Sequence, residues 1–254
     1  MGRVHWFDMG IFDTGMQVVD LLGVLANAIL GGMAARMARL DFVGFAIVAI
    51  TSGLGGGMIR DVLLGAAPVV ALTNPFYLAT ALTGALVAFL VNFSAKLPRR
   101  TLVLLDALAV GCWAAVGATK GLAHGLHWLA AIMLGVLTVI GGGMVRDVML
   151  MKRPVVLGGN TLYATSAFCA AVATVIGVKV QEPQWGVAAA LALGAGMSLV
   201  ARKLGWTLPT EAKVPVLRPV LRVVGLGRAN KASSPDLTED LTDLPTDAAQ
   251  TDHH

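Results

Sequence analysis

Hydrophobic residues in this chain form long runs that are separated by short linkers carrying Arg, Lys, Pro or Gly. Seven runs are close to the length of about 20 residues that a helix needs to cross a bilayer core about 30 Å thick. They lie at residues 16–37, 42–64, 74–93, 101–118, 127–150, 161–180 and 185–204. Because the runs lack the period of two expected of barrel strands, they predict an all-α membrane protein with seven transmembrane helices.

The second half of the chain repeats residue types of the first half at a constant offset of 86 residues, without gaps. The matching positions are Asp20 and Asp106, Gly31 and Gly117, residues 55–58 and 141–144, residues 60–62 and 146–148, Pro68 and Pro154, Asn74 and Asn160, and Tyr77 and Tyr163. Each copy holds three apolar segments, an odd number, so the second copy should enter the membrane from the opposite side. We therefore expect two inverted three-helix repeats, at 16–98 and 101–182, and a seventh helix at 185–204.

Composition supports a membrane protein, since 56% of the residues are hydrophobic, 13% are charged and the mean hydropathy is +0.76. All 19 basic residues lie within residues 1–231, whereas six of the 15 acidic residues lie in the last 19 positions. Residues 205–254 are therefore expected to form a basic segment followed by a disordered acidic tail. The two cysteines, each alone in an apolar run, predict neither a disulfide framework nor a metal site.

The distribution of Lys and Arg predicts the orientation of the helices. With the N-terminus outside, the inner ends carry nine basic residues and the outer ends three. The nine are Arg36, Arg39, Lys96, Arg99, Arg100, Lys152, Arg153, Arg202 and Lys203, and the three are Arg3, Lys120 and Lys179. This asymmetry follows the positive-inside rule and puts the C-terminus in the cytoplasm.

Two glycine triplets fall late in the second and fifth apolar segments. They are Gly55, Gly56 and Gly57, and Gly141, Gly142 and Gly143. Since each glycine disfavours a helix by about 1 kcal/mol relative to alanine, we expect a kink or break that lines a cavity. The alternative is close helix packing through small residues, which would not explain the charged pair after each triplet.

The charged pairs Arg60–Asp61 and Arg146–Asp147 stand in apolar surroundings, where each charge costs roughly 2.5–3.5 kcal/mol near a helix centre. Neighbouring residues point about 100° apart on a helix, so Arg60 should pair with another segment rather than with Asp61. The expected topology brings Asp20 to the depth of the first pair and Asp106 to that of the second. We predict a two-ended polar pathway in which four acids against two arginines favour cations. The alternative is that the arginines snorkel and the aspartates cap helices.

Taken together, these residues resemble the prokaryotic TRIC (trimeric intracellular cation) channels, a family also described as a duplicated putative glycine-transporter domain. The resemblance rests on residues 20–23, residues 55–61, Pro68, Asn74, Pro75 and Tyr77, and on their second copies. It covers about residues 16–205. The second copy departs from the pattern at Ala109, where Gly23 stands in the first, and at Thr161, where Pro75 stands.

The resemblance implies a homotrimer with one ion pathway in each subunit, conducting monovalent cations, mainly potassium but also sodium. It also implies a place in the cell inner membrane, in contact with lipid. A secondary transporter of a small zwitterion such as glycine is the second hypothesis, because inverted repeats with broken helices are typical of transporters as well. A structural or sensor subunit is the third. The residues suggest no cofactor, nucleic-acid partner or enzyme activity, and Tyr77 and Tyr163 are expected to pack or to lie at the membrane interface.

Overall fold

The computed structural model describes residues 10–91, 99–157 and 163–205. Within these ranges the chain is helical and forms no strand, which confirms the all-α prediction. The helices are α1 (Gly10–Met37), α2 (Phe42–Leu63), α3 (Val70–Thr73), α4 (Pro75–Leu90), α5 (Arg99–Ala123), α6 (Trp128–Met149), α7 (Tyr163–Lys179) and α8 (Pro183–Leu204), with a short 3₁₀ helix at Val155–Leu157. The predicted acidic tail lies outside the described residues, as does all of the basic segment beyond Gly205.

Each of the seven apolar segments corresponds to one long helix, and the short helix α3 is an addition that the hydrophobic pattern did not predict. By length and composition, five of the helices can cross a bilayer: α1, α2, α5, α6 and α8. The apolar helices α4 and α7 have 16 and 17 residues, so they are about one turn shorter than a typical span. The protein is therefore a membrane protein with several apolar helices.

The ends of the helices follow from local side-chain chemistry. Asp41 caps α2, where its Oδ1 accepts a hydrogen bond of 2.7 Å from the backbone N–H of Gly44. Asn74 caps α4 in the same way, and Pro75 occupies the first turn, where proline is favoured. Arg36 donates to the last carbonyls of α4, at Phe89 and Val91, and so satisfies groups that have no partner within that helix.

The helices α2 and α6 pack against each other at their glycine triplets. Both stay helical through the triplets, so a break there is wrong, whereas a kink stays a prediction. A Cβ atom at Gly141 would lie 3.2 Å from the Cα of Gly56, and one at Gly142 would lie 2.6 Å from the carbonyl oxygen of Ser52. The glycines are thus needed for a close approach of two backbones, the alternative considered above, and packing offsets their low helix propensity.

Candidate ion pathway

Five polar residues from four helices meet in the first cluster, named here the Asp20 cluster. Its members are Asp20 on α1, Arg60 and Asp61 on α2, Tyr77 on α4 and Lys120 on α5. The Arg60 Nη1 atom donates to both carboxylate oxygens of Asp20, at 3.2 and 3.0 Å, and the Tyr77 hydroxyl donates to Asp20 Oδ2 at 2.8 Å. Lys120 Nζ lies 3.6 Å from the same oxygen. Asp20 is therefore held by two hydrogen-bond donors and one further ion pair, from three different helices.

Arg60 also pairs with its neighbour in the sequence, contrary to our expectation. Its Nε atom donates to Asp61 Oδ1 at 2.8 Å, while the other oxygen of Asp61 accepts the backbone N–H of Val70 at 3.1 Å. The long Arg60 side chain folds back along the helix, so an offset of about 100° between neighbours does not separate the two groups. The expected partnership between Arg60 and Asp20 is present as well, and the two contacts leave Arg60 fully buried.

The second cluster, named here the Asp106 cluster, occupies the corresponding positions of the second copy. Its members are Asp106 on α5, Arg146 and Asp147 on α6, Tyr163 on α7 and Arg202 on α8. Arg146 Nε donates to Asp147 Oδ1 at 2.9 Å, which repeats the contact between Arg60 and Asp61. The guanidinium group bonded to Asp106 belongs to Arg202, with Arg146 as a second positive charge nearby.

The structure changes the charge balance that the sequence suggested. Lys120 joins the Asp20 cluster and Arg202 joins the Asp106 cluster, so each cluster contains two aspartates and two basic groups. The excess of four acids over two bases is therefore wrong. Buried charges are stable only when they are paired. Asp20 and Asp106 therefore each contact a further basic side chain from another helix, Lys120 and Arg202 respectively.

A cavity lies beside each cluster. The Asp20 cavity has a volume of about 340 Å³ and the Asp106 cavity about 380 Å³. Positions 86 residues apart line the two cavities, namely Gln17 and Val103, Asp20 and Asp106, Val70 and Val156, and Tyr77 and Tyr163. Helices α1 and α5 contribute to both cavities, and α6 contributes to the second. The arrangement offers two polar chambers, each large enough for several water molecules.

The last glycine of each triplet lies beside an arginine rather than at the helix crossing. A Cβ atom at Gly57 would lie 3.5 Å from Arg60 Nη2, and one at Gly143 would lie 3.7 Å from Arg146 Nη2. Gly143 also lines the Asp106 cavity. These two glycines therefore leave room for the guanidinium groups, whereas Gly56 and Gly142 allow the helices to touch.

Four site residues were not assigned to the pathway from the sequence. Tyr77 and Tyr163 belong to the clusters, although packing or interfacial positions were expected for them. Lys120 and Arg202 were counted only as charges at helix ends. Their signal was present in the sequence, because a lysine or arginine within a membrane-length helix needs a buried acidic partner.

Comparison with known proteins places these features in one family. The family model described as glycine transporter matches residues 17–92 and 103–179, which is two copies. A UPF0126 membrane protein of Deinococcus radiodurans is 38% identical over 156 residues, 60% of this chain and 72% of its own. The UPF0126 inner membrane protein YadS of Escherichia coli (strain K12) is 33% identical over 149 residues, 58% of this chain and 72% of its own.

Among solved structures, the TRIC trimeric intracellular cation channel orthologue from Rhodobacter sphaeroides superposes with a TM-score of 0.69 at 30% identity. The superposition covers 76% of this chain and 99% of the other. It confirms the resemblance to TRIC channels that the doubled glycine and Arg-Asp motifs indicated. The chain therefore belongs to the glycine transporter family, and its fold is similar to that of a TRIC channel.

Proposed function

We propose that the protein is a passive channel for monovalent cations, permeable to potassium and sodium, with one pathway in each subunit of a homotrimer. The observation that carries this proposal is the pair of polar cavities at the two ends of α5. Asp106 lies in one cavity and Lys120 in the other, about 21 Å apart along the helix axis. The pathway runs between α1 and α5, past the point where α2 and α6 cross.

The inverted arrangement of the two repeats is part of the proposal. The directions of α1 and α5 support it: α1 carries Asp20 in its first half, whereas α5 meets the same cluster with Lys120, close to its last turn. Seven membrane crossings, an outer N-terminus and an inner C-terminus agree with this reversal and with the distribution of basic residues. The trimer and the inner membrane are supported by the names of similar proteins.

The absence of a net charge on either cluster limits how a cation can bind there. When all groups are charged, neither cluster carries a net charge. A cation can occupy the Asp20 cluster only when one of its basic groups withdraws, and Lys120 is the group with the longest contacts, at 3.6 and 4.0 Å. Lys120 thus acts as a tethered cation that a potassium ion replaces beside Asp20.

A transporter of a small zwitterion is the second candidate function. The observation in its favour is that the Asp106 cavity presents Arg146 and Arg202 to a carboxylate and Asp106 and Asp147 to an ammonium group. The family description as glycine transporter points the same way. Such a protein would bind its substrate in this cavity and would show saturable uptake.

The experiment that separates the two functions uses the purified full-length protein in planar bilayers and in liposomes. The channel proposal expects unitary potassium currents, with a reversal potential near that of potassium under a potassium chloride gradient. Saturable uptake of labelled glycine without currents would contradict the channel proposal and favour the transporter.

A matched pair of variants tests whether the currents use the Asp106 cavity. Arg146→Ala should change the unitary conductance, because Arg146 lines this cavity. The control Arg153→Ala should leave it unchanged, since Arg153 is exposed in the linker after α6. Wild-type currents in a folded Arg146→Ala protein would argue against this pathway.

A further inference from the structure

Trp113 is buried in the hydrophobic core, in a cradle of three glycines. A Cβ atom at Gly23 on α1 would lie 2.5 Å from Trp113 Cδ1, one at Gly56 on α2 would lie 2.7 Å from Cζ3, and one at Gly142 on α6 would lie 2.8 Å from Cζ3. The ring is completely buried. Three helices, from both repeats, thus have a glycine at the position where each contacts the indole ring.

The indole N–H is not held by a hydrogen bond. Among the described residues, Trp113 Nε1 is one of four buried polar side-chain atoms without a partner. Buried indole N–H groups usually find an acceptor, because leaving them unpaired is unfavourable. Apolar packing, which includes the glycine cradle, therefore keeps the ring in place, so the ring can move without breaking a hydrogen bond.

The ring lies between the two cavities. On α5, Asp106, Trp113 and Lys120 follow one another at intervals of seven residues, on one face of the helix, with Asp106 and Lys120 in different cavities. On α1, the contact at Gly23 falls between Asp20 and Asn27, which also line different cavities. Both helices, which run antiparallel, thus place the indole ring at a level between the two cavities.

This level is also where the two copies differ. The counterpart of Trp113 in the first copy is Asn27, and the counterpart of Gly23 in the second copy is Ala109. Gly23 makes room for the large ring of Trp113. Asn27 lines the Asp106 cavity, while Trp113 is absent from the described lining of the Asp20 cavity. Trp113 thus stands at a position whose counterpart in the first copy lines a cavity.

We propose that the Trp113 side chain is the constriction of the pathway, closing it between the Asp20 and Asp106 cavities until the ring moves out of its glycine cradle. This inference rests on the proposed channel function. A bulky apolar ring at the narrowest level prevents water and ions from passing, as hydrophobic constrictions do in other channels. The polar clusters then act as the two vestibules on either side.

The test is a series of substitutions that reduce the side-chain volume at position 113, measured as potassium flux into liposomes and as unitary conductance. The series is Trp113→Phe, Trp113→Leu and Trp113→Asn, the last placing the counterpart residue Asn27 at this site. Flux should increase along the series, by about tenfold or more for asparagine. Trp128→Phe is the matched control, because Trp128 is partly exposed at the start of α6, and it should behave as the wild type.

The outcomes distinguish this inference from the channel proposal. If the wild type conducts but the folded variants do not rank by volume, the constriction is not at Trp113 and the channel stands. If neither the wild type nor any folded variant conducts, the channel proposal fails and the constriction fails with it. Size-exclusion profiles and helical circular dichroism identify the folded members, and two of them besides the wild type suffice for the ranking.

Discussion

The Asp20 and Asp106 clusters begin from the same sequence motif but differ in how tightly they are closed. In the Asp20 cluster, the side chains of Arg60 and Asp20 are each 1% exposed. In the Asp106 cluster, the corresponding side chains of Arg146 and Asp106 are 17% and 16% exposed. Duplication of a motif therefore reproduced the pairing of arginine with the following aspartate, but not the burial.

The two clusters also differ in the source of the second cation. Lys120 reaches the Asp20 cluster from within the second copy, but its counterpart in the first copy is Ala34, which has no charge to give to Asp106. The cation instead comes from Arg202 on α8, outside both copies. The seventh long helix thus completes a site that the repeats alone leave short of a positive charge.

The largest expected difference concerns stability after removal of each arginine. Arg60→Ala leaves two fully buried aspartates with only Lys120 and should lower the free energy of unfolding by about 3–5 kcal/mol. Arg146→Ala should cost about 1 kcal/mol, since its site is partly exposed and keeps Arg202. Thermal unfolding in detergent, followed by circular dichroism, measures both. Equal losses would mean that the two clusters are equally closed in solution.

The tyrosines provide a smaller test of the same comparison. Tyr77→Phe removes the hydrogen bond to buried Asp20 and should lower the free energy of unfolding by about 2 kcal/mol. Tyr163→Phe should cost about 1 kcal/mol, because water in the adjoining cavity can replace its hydroxyl. The same melting experiment applies to both variants. A larger loss of unfolding free energy for Tyr163→Phe than for Tyr77→Phe would mean that the Asp106 cluster is the more closed of the two.

The smallest expected effect concerns conduction after removal of the second cation. Lys120→Gln leaves the Asp20 cluster with a net negative charge and should raise potassium conductance by about fivefold. Arg202→Gln should raise it by about twofold, because its cluster is already more open. Lys203→Gln, an exposed neighbour, is the control and should have no effect. Single-channel recording measures all three, and no increase for Lys120→Gln would contradict its role as a tethered cation.

Several local features were predictable because they depend on short stretches of sequence. The hydrophobic runs predicted the positions of the long helices, including the run at 74–93 that corresponds to α4. The meeting of Asp20 with Arg60 was also predictable, since buried charges need partners and the order of the segments brings these two to the same level. These inferences required only helix geometry and the cost of charge in lipid.

Other features could not be read from local sequence. The glycine triplets predicted a kink or a break, yet α2 and α6 pack together there and neither helix is broken. Arg60 was assigned away from Asp61 on the basis of angular separation, yet its flexible side chain reaches Asp61 and Asp20 together. In both cases the outcome depends on what a distant segment supplies, either a packing surface or a second carboxylate.

By itself, the sequence determined that the chain is helical, that it is a membrane protein and that one residue pattern occurs twice, because hydrophobic length and constant spacing are properties of the chain. Only the tertiary structure decided which charges meet. It brought Lys120 and Arg202 to the aspartates and the ring of Trp113 to the glycines, and so replaced an acidic pathway by two neutral clusters on either side of an apolar centre. The physical reason is that the partner of a buried charge, and the space for a large side chain, come from residues that lie far apart in the chain.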